Sequence, residues 1–196
     1  MKTRLIIAIT GATGAIYGIR LLQVLAPIAT IETHLVLSPA GALTAQHESD
    51  ASKAEIEALA DVVHHHRDIS AAISSGSFLT AGMIIAPCSM NTLGAIAAGL
   101  DNNLICRAAS VTLKERRKLV LLPRETPLHL VHLRNMVTIT EMGGVIAPPV
   151  PAFYNAPTII ADIVDQTVGR TLDYMGVETS LVKRWQGLPE RAPSGA

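Results

Sequence analysis

The sequence has no excess of either charge and few cysteines. These two features limit the kinds of ligand and of cysteine site that we expect in the protein. Its 16 Lys and Arg residues balance 16 Asp and Glu residues, so no overall field attracts nucleic acid or an anionic membrane. We therefore expect any anion to be held by a local cluster in a pocket. The two cysteines, Cys88 and Cys106, form no CxxC pair and lie among apolar residues. This context is typical of reduced thiols rather than of a disulfide or a metal site.

Long apolar runs are also missing. The opening residues MKTRLIIAIT are too short an apolar stretch for a signal peptide or a membrane helix, and the expected location is the cytoplasm. A hydrophobic content of 49% in 196 residues predicts one domain with a sizeable core, over residues 1–188. Residues 189–196, PERAPSGA, are expected to form a flexible tail. A mean hydropathy of +0.37 predicts apolar surface that a homo-oligomer covers.

Short apolar segments alternate with segments of helical patterning. The predicted strands are 5–9, 33–37, 83–86, 119–122 and 144–147. The predicted helices are 15–26, 52–60, 91–99, 104–118, 127–142 and 158–175. This alternation predicts an α/β fold with a mainly parallel, doubly wound sheet in three α/β/α layers. Ligands of such sheets bind beyond the carboxyl ends of the strands, so the residues that follow each strand become candidates.

The first candidate is the glycine-rich turn ITGATGAIYG at residues 9–18. It lacks the Lys of a Walker A loop, which argues against an ATPase. An NAD site is disfavoured because Tyr17 stands where a third glycine is expected, and because the second strand ends in LSPA without an acidic residue for a ribose. The turn and the Thr13 hydroxyl suit a phosphate monoester such as that of FMN. A plain glycine turn is the alternative, and Ser38 is either a ligand contact or a turn former.

Polar residues follow two further predicted strands. The segment APCSMNTLG presents Ser89, Asn91 and Thr92 at the start of a helix, where a second phosphate cradle and simple helix capping are both possible. The segment LVLLPRETP places Arg124 and Glu125 directly after a strand. Arg124 can bind a phosphate and Glu125 can transfer a proton, although a solvent loop is the competing interpretation.

Two cations share one face of the predicted helix 104–118. Arg107 and Lys114 lie on the same stripe as Val111. Because the neighbours of Arg107 are apolar, we expect this residue to have an anionic partner. We interpret residues 115–118 as a solvated charged face.

Two other segments invite functional interpretations. Tyr154 lies in the proline-stiffened segment PPVPAFYNAP and either reaches a ligand or anchors its loop. The histidines of VVHHHRD, residues 62–68, do not predict a metal site, because consecutive residues cannot easily converge on one ion.

A series of longer segments resembles a known family, the UbiX-type flavin prenyltransferases, which include accessory subunits of aromatic acid decarboxylases. The segments are, in order, GATGAIYG, ETHLVLSPA, ISSGSF, IIAPCSMNTLGAIAAG, RAASVTLKERRKLVLLPRETPLHLVHLRNM, PPVPAFYN and RWQGLP. The resemblance implies a Rossmann-like flavoprotein domain, assembled into a homo-oligomer that is typically a dodecamer. It also implies metal-independent transfer of a dimethylallyl group from dimethylallyl phosphate to reduced FMN. The product, prenylated FMN, would serve a UbiD-type decarboxylase.

The resemblance also implies roles for individual residues. The implied FMN contacts are Gly11, Ala12, Thr13, Ser38, Ser89, Met90, Asn91, Thr92 and Arg124. The implied contacts of the prenyl donor are Arg107, Lys114, Tyr154, Arg170 and Trp185, with Trp185 covering the site. Glu125 is implied to be the acid and base and Glu48 to border the reacting centre, while Lys114 and Tyr154 stabilise the leaving phosphate.

The sequence departs from the usual pattern of this family at three places. Many members have Ser at Thr13, SKA at residues 38–40 and Asp at Ser110. Two other functions stay open, an FMN-binding decarboxylase of the related cysteine-decarboxylase fold and a non-catalytic subunit that carries flavin. Glu125 and Tyr154 favour the prenyltransferase.

Overall fold

The computed structural model describes residues 2–49 and 51–187, so the predicted tail 189–196 lies outside the described residues. Its strands are β1 (Thr3–Ile9), β2 (Ile31–Leu37), β3 (Val62–His64), β4 (Gly82–Cys88), β5 (Lys118–Pro123) and β6 (Val145–Ile146). They form one sheet in the order β3-β2-β1-β4-β5-β6. All neighbouring pairs of this sheet are parallel.

Seven α-helices connect or follow these strands in the described part of the chain. They are α1 (Ala15–Leu25), α2 (Pro39–Ser49), α3 (Lys53–Glu57), α4 (Met90–Ala97), α5 (Leu104–Lys114), α6 (Leu130–Glu141) and α7 (Ile160–Tyr174). Short 3₁₀ turns lie at Ala72–Ser74 and Phe153–Asn155. Within residues 2–49 and 51–187, no helix combines the length and apolar character that crossing a membrane requires.

The side chains of β1 divide the core into two halves, because successive residues of a strand point to opposite faces. Leu5, Ile7 and Ile9 pack in one core with residues of α1 and α7. Ile6 and Ala8 pack in a second core with residues of α4, α5 and α6. The predicted three-layer, doubly wound α/β architecture is therefore confirmed.

The order of the strands creates a crevice in this sheet. β1 and β4 are neighbours, yet the helices that follow them cover opposite faces, since α1 belongs to one core and α4 to the other. The two chains therefore diverge at the carboxyl ends of β1 and β4. Ligands of doubly wound sheets bind at such a switch point.

Several elements differ from the sequence-based prediction; the helices predicted over 52–60 and 127–142, for example, cover only Lys53–Glu57 and Leu130–Glu141. β3 was not predicted, because its three residues lie in a histidine-rich segment without an apolar run. α2 was not predicted either, because it begins with Pro39 and buries only Gly41 and Ala45. The helix predicted to reach residue 118 is shorter, since Arg116 takes a φ of 56° in the left-handed region and thereby ends it.

Candidate active site

Thr10 links the carboxyl ends of β1 and β4 through hydrogen bonds. Its hydroxyl donates to the carbonyl of Pro87 at 2.8 Å and accepts from the N–H of Ser89 at 2.8 Å. The N–H of Arg124 in turn donates to the carbonyl of Cys88 at 3.3 Å. The loops that follow β1, β4 and β5 are thus tied together at one edge of the sheet. Sequence reasoning missed this role of Thr10, whose only signal was its place at the end of a strand.

The loop that follows β2 joins the same edge. The N–H of Ser38 donates to the carbonyl of Ile9 at 3.0 Å, and the Ser38 hydroxyl accepts from the N–H of Gly41 at 2.9 Å. Gly11 lies so near this loop that a Cβ on it would collide with the Cβ of Ala40. Glycine at position 11 therefore allows the loops after β1 and β2 to meet.

Helix α4 begins at this edge with a side-chain cap. The Ser89 hydroxyl accepts from the N–H of Thr92 at 3.2 Å and donates to the Thr92 hydroxyl at 3.1 Å. The capping interpretation of this segment is therefore correct. It leaves the binding interpretation open, because the first backbone N–H groups of a helix, here those of Met90 and Asn91, have no acceptor within the helix.

Glu48 lies against the glycine-rich turn. Its Oε2 accepts from the N–H of Gly14 at 2.9 Å and from the N–H of Ala15 at 3.1 Å, so this carboxylate of α2 binds the first turn of α1. Gly14 takes a φ of 98°, which favours glycine. The start of α1 therefore binds a carboxylate through two N–H groups, directly after residues 11–13, which the sequence suggested for a phosphate.

Arg124 and Glu125 lie directly after β5 with exposed side chains. The Oε1 of Glu125 accepts from the N–H of Thr126 at 3.1 Å. Among residues 2–49 and 51–187, neither side chain takes part in an ion pair. A salt bridge between Arg124 and Glu125 therefore does not explain why these two residues stand in this loop.

A cleft of about 290 Å³ lies next to this edge, where the chain leaves β6. Its lining includes Ala147 beyond β6 together with Tyr154, Gln166 and Arg170. Trp185 meets the ring of Tyr154 edge to face, with the ring centroids 5.8 Å apart. The structure thus brings together three residues that the resemblance assigns to the prenyl donor.

Asp173 holds the arginine of this cleft. Its carboxylate accepts from Arg184 at 2.9 and 3.0 Å and from Arg170 at 2.8 Å. These bonds, those of Arg184 foremost, hold the pKa of Asp173 below its usual value. Asp173 therefore stays charged near neutral pH and anchors the Arg170 guanidinium at the wall of the cleft.

Lys114 lies at the opposite edge of the sheet from Glu125. It is the last residue of α5, and β5 begins four residues later at Lys118, so Lys114 lies near the amino end of that strand. The length of β5 separates it from Glu125 by roughly 20 Å, at about 3.3 Å per residue. The exposed ammonium group of Lys114 pairs with Glu115. Within one chain, the structure does not bring Lys114 to the Tyr154 cleft.

Arg107 has the anionic partner that its apolar neighbours predicted. Its Nη1 donates to Asp101 at 2.8 Å and its Nε to the carbonyl of Ser74 at 3.2 Å. These contacts keep Arg107 on α5, away from the lining of the cleft that contains Tyr154.

The sequence suggested that the charged residues after α5 form a solvated face. In the structure, two of them also bind carbonyl groups. Arg117 donates to the carbonyls of Gly76 and Phe78 at 2.5 and 2.9 Å. Lys118 donates to the carbonyl of Tyr174 at 2.6 Å. Arg117 is half-buried, so the solvated-face interpretation is wrong for it, whereas Lys118 stays exposed although it binds a carbonyl group.

Histidine and cysteine side chains have other surroundings. His64 pairs with His34 through ring nitrogens 2.9 Å apart. Among residues 2–49 and 51–187, no group of three or more His, Cys, Asp or Glu side chains is arranged to hold a metal ion. Both cysteines are buried, and burial raises the pKa of the Cys88 thiol, as expected of an unreactive thiol.

Comparison with known proteins identifies the family. The flavoprotein family matches residues 1–182. The flavin prenyltransferase UbiX of Escherichia coli strain K12 is 56% identical over 186 residues, which cover 94% of this chain and 98% of that protein. A probable UbiX-like flavin prenyltransferase of Bacillus subtilis is 53% identical over 195 residues, covering 100% of this chain and 95% of the relative. The chain belongs to the UbiX flavin prenyltransferase family.

Two similar solved structures were determined for relatives with bound ligands or as an oligomer. AnUbiX, in complex with FMN and dimethylallyl pyrophosphate, matches with a TM-score of 0.94 and 49% identity over 96% of this chain and 100% of that chain. A dodecameric FMN-dependent UbiX-like decarboxylase from Escherichia coli O157:H7 matches with a TM-score of 0.93 and 50% identity, covering 94% of this chain and 100% of the other. The peptidyl-cysteine decarboxylase EpiD, 16% identical with a TM-score of 0.64, shares the fold alone.

Proposed function

We propose that this member of the UbiX family transfers a dimethylallyl group from dimethylallyl phosphate to reduced FMN and supplies prenylated FMN to a UbiD-type decarboxylase of aromatic acids. The observation that carries the proposal is the cleft of Tyr154 and Arg170 beside an edge of the sheet rich in hydroxyl and N–H groups. The AnUbiX complex with FMN and dimethylallyl pyrophosphate supports it. By analogy with its dodecameric relative, we infer that the chain assembles as a dodecamer.

The residues at the carboxyl edge fit the demands of FMN. Four loops converge there, which contain the turn 11–13, Ser38, the segment 89–92 and Arg124. They offer hydroxyl groups together with the first N–H groups of α4, those of Met90 and Asn91, which suit a phosphate monoester. Arg124, free of ion pairs within residues 2–49 and 51–187, adds a guanidinium that can bind an anion through two N–H groups. When bound, the reduced flavin supplies the electron-rich ring that accepts the dimethylallyl group.

The Tyr154 cleft is the proposed place of the prenyl phosphate. As the bond between the allylic carbon and its oxygen breaks, negative charge grows on the phosphate that leaves. We assign the stabilisation of this charge to Arg170 and the hydroxyl of Tyr154, because both residues line the cleft. Preorganised donors of this kind commonly contribute about 3 kcal/mol each to a transition state. Glu125, after the adjacent strand, is proposed to move the proton that ring closure requires.

Lys114 and Arg107 do not line the Tyr154 cleft of their own chain. They lie on α5, and Lys114 is near the amino ends of the strands, whereas Glu125 follows a carboxyl end. A cation at that edge can reach a prenyl phosphate only if the phosphate belongs to another subunit. We therefore propose that α5 contributes Lys114 to the site of a neighbouring chain in the oligomer, and that Arg107, on the same face of this helix, accompanies it.

The proposed reaction is tested by the mass of the flavin after incubation with the donor. The protein loaded with reduced FMN is expected to convert it to prenylated FMN with dimethylallyl phosphate, whereas oxidised FMN, which lacks the electron-rich ring, should remain unchanged. A parallel reaction with dimethylallyl pyrophosphate shows which donor is preferred. Unaltered FMN with both donors, despite tight FMN binding, would favour the flavin-carrying subunit instead.

Arg170→Ala is expected to weaken use of the prenyl donor without weakening FMN binding. Loss of one charge-assisted contact should raise the KM for the donor by about 10- to 100-fold. Arg184→Ala is the matched control, since Arg184 also binds Asp173 but does not line the cleft. Steady-state kinetics with a range of donor concentrations measures both variants. Equal effects of the two substitutions would mean that Arg170 acts only by supporting the local structure.

A further inference from the structure

We propose that Gln166 is a positioning residue that turns the hydroxyl proton of Tyr154 into the cleft, toward the phosphate of the prenyl donor. Gln166 lies on α7 and is only 4% exposed, although its amide is strongly polar. The inference rests on the role proposed above for Tyr154.

Both ends of the buried amide are hydrogen-bonded. The Nε2 of Gln166 donates to the Tyr154 hydroxyl oxygen at 2.9 Å. Its Oε1 accepts from the backbone N–H of Lys183 at 3.1 Å. Because leaving a buried polar group unpaired is costly, the two partners together hold the side chain in one place.

The Lys183 N–H also decides which way the amide faces. A backbone N–H can only donate, so the oxygen of the amide must point to it and the NH₂ group must point to Tyr154. An NH₂ group can only donate, so the Tyr154 oxygen is an acceptor in this bond. The proton of the phenol is then directed away from Gln166, and both Tyr154 and Arg170 line the cleft.

The backbone that carries this N–H is itself fixed on α7. The segment 177–187 runs beside the helix, and a Cβ on Gly169 would stand 2.5 Å from a methyl group of Val182. Lys183 additionally donates through Nζ to the carbonyl of Asn155, next to Tyr154, at 3.2 Å. Gln166 thus lies where α7, the Tyr154 loop and this segment meet, and the direction of the Tyr154 proton depends on all three.

Two substitutions at Gln166 test the inference. Gln166→Met keeps the length and packing of the side chain but removes both hydrogen bonds. Gln166→Glu keeps an acceptor for Lys183 and presents an oxygen to Tyr154, so that the phenol proton turns toward residue 166. Each is expected to slow single-turnover prenylation by about 10- to 100-fold, the range for one hydrogen bond to a charged group, while FMN affinity stays unchanged.

Tyr154→Phe separates this positioning role from a merely structural one. In the Tyr154→Phe background, which has no phenol proton to direct, Gln166→Met should produce no further loss of rate, because the two residues act as a unit. A loss in the double variant equal to the product of the two single losses would overturn the inference, as would wild-type rates in both Gln166 variants. If Tyr154→Phe alone keeps the wild-type rate, the proposed role of Tyr154 fails and the inference fails with it.

Discussion

Glu125→Gln is expected to slow the formation of prenylated FMN by roughly 10²- to 10⁴-fold, the usual loss when a general acid or base is removed. Glutamine has nearly the same shape but cannot accept and return a proton. Glu125 is exposed, and its only hydrogen bond among the described residues is to the N–H of Thr126 beside it, a bond that an amide oxygen can also accept. Stability and FMN affinity should therefore persist.

The measurement is single-turnover prenylation followed by the mass of the extracted flavin, together with the melting temperature and the FMN dissociation constant. Glu141→Gln is the matched control, because Glu141 is also exposed but ends α6 before β6 begins, at the amino edge of the sheet. This control should keep the wild-type rate. A Glu125→Gln variant that prenylates at the wild-type rate but melts earlier or binds FMN poorly would show that Glu125 is a structural loop residue.

The edge of the sheet that carries the candidate site was predictable from sequence. Apolar runs such as LIIAI and LVLL are local signals of buried strands, and their alternation with helical segments predicts parallel pairing. The rule that ligands bind at the carboxyl ends of such strands then selects Gly11, Ser38, Ser89 and Arg124. The structure places all four beyond carboxyl ends, and tertiary hydrogen bonds tie their loops together.

Contacts between distant segments were not predictable in the same way. Glu48 binds the N–H of Gly14 across 34 positions of sequence, and Thr10 binds Ser89 across 79. Periodicity shows which side chains are buried, but it does not show which loop partner each polar group meets. For the same reason, the sequence did not indicate a role for Gln166, a polar residue on the buried side of a helix.

The placement of Lys114 was predictable only in part. Helical spacing correctly put it on α5 with Arg107, and the resemblance added both to the residues around the prenyl phosphate. The spacing alone gives no position along the sheet. That position follows from topology, because a helix that leads directly into a parallel strand ends at the amino edge, whereas Glu125 follows the carboxyl end of the same strand.

This separation leads to an expected complementation between inactive subunits. Lys114→Ala alone should lose about 10²-fold or more in prenylation, as expected for removal of a group that stabilises the leaving phosphate. Glu125→Gln alone is expected to be similarly impaired. If each site combines Glu125 of one chain with Lys114 of a neighbour, oligomers that contain both variants regain intact sites.

Random assembly sets the size of the recovery. In an equal mixture, half of the chains keep Glu125, and half of their neighbours keep Lys114, so about one quarter of the sites are intact and about one quarter of the wild-type rate returns. The mixed oligomers are obtained by co-expressing the two variants with different affinity tags and purifying through both tags in turn. Mixing Arg124→Ala with Glu125→Gln is the control, since these residues are adjacent in one loop and should serve the same site. A rate in the Lys114→Ala mixture no higher than that of this control would place Lys114 and Glu125 in the site of a single chain. A fully active Lys114→Ala enzyme, and about half of the wild-type rate in its mixture, would instead remove Lys114 from the reaction.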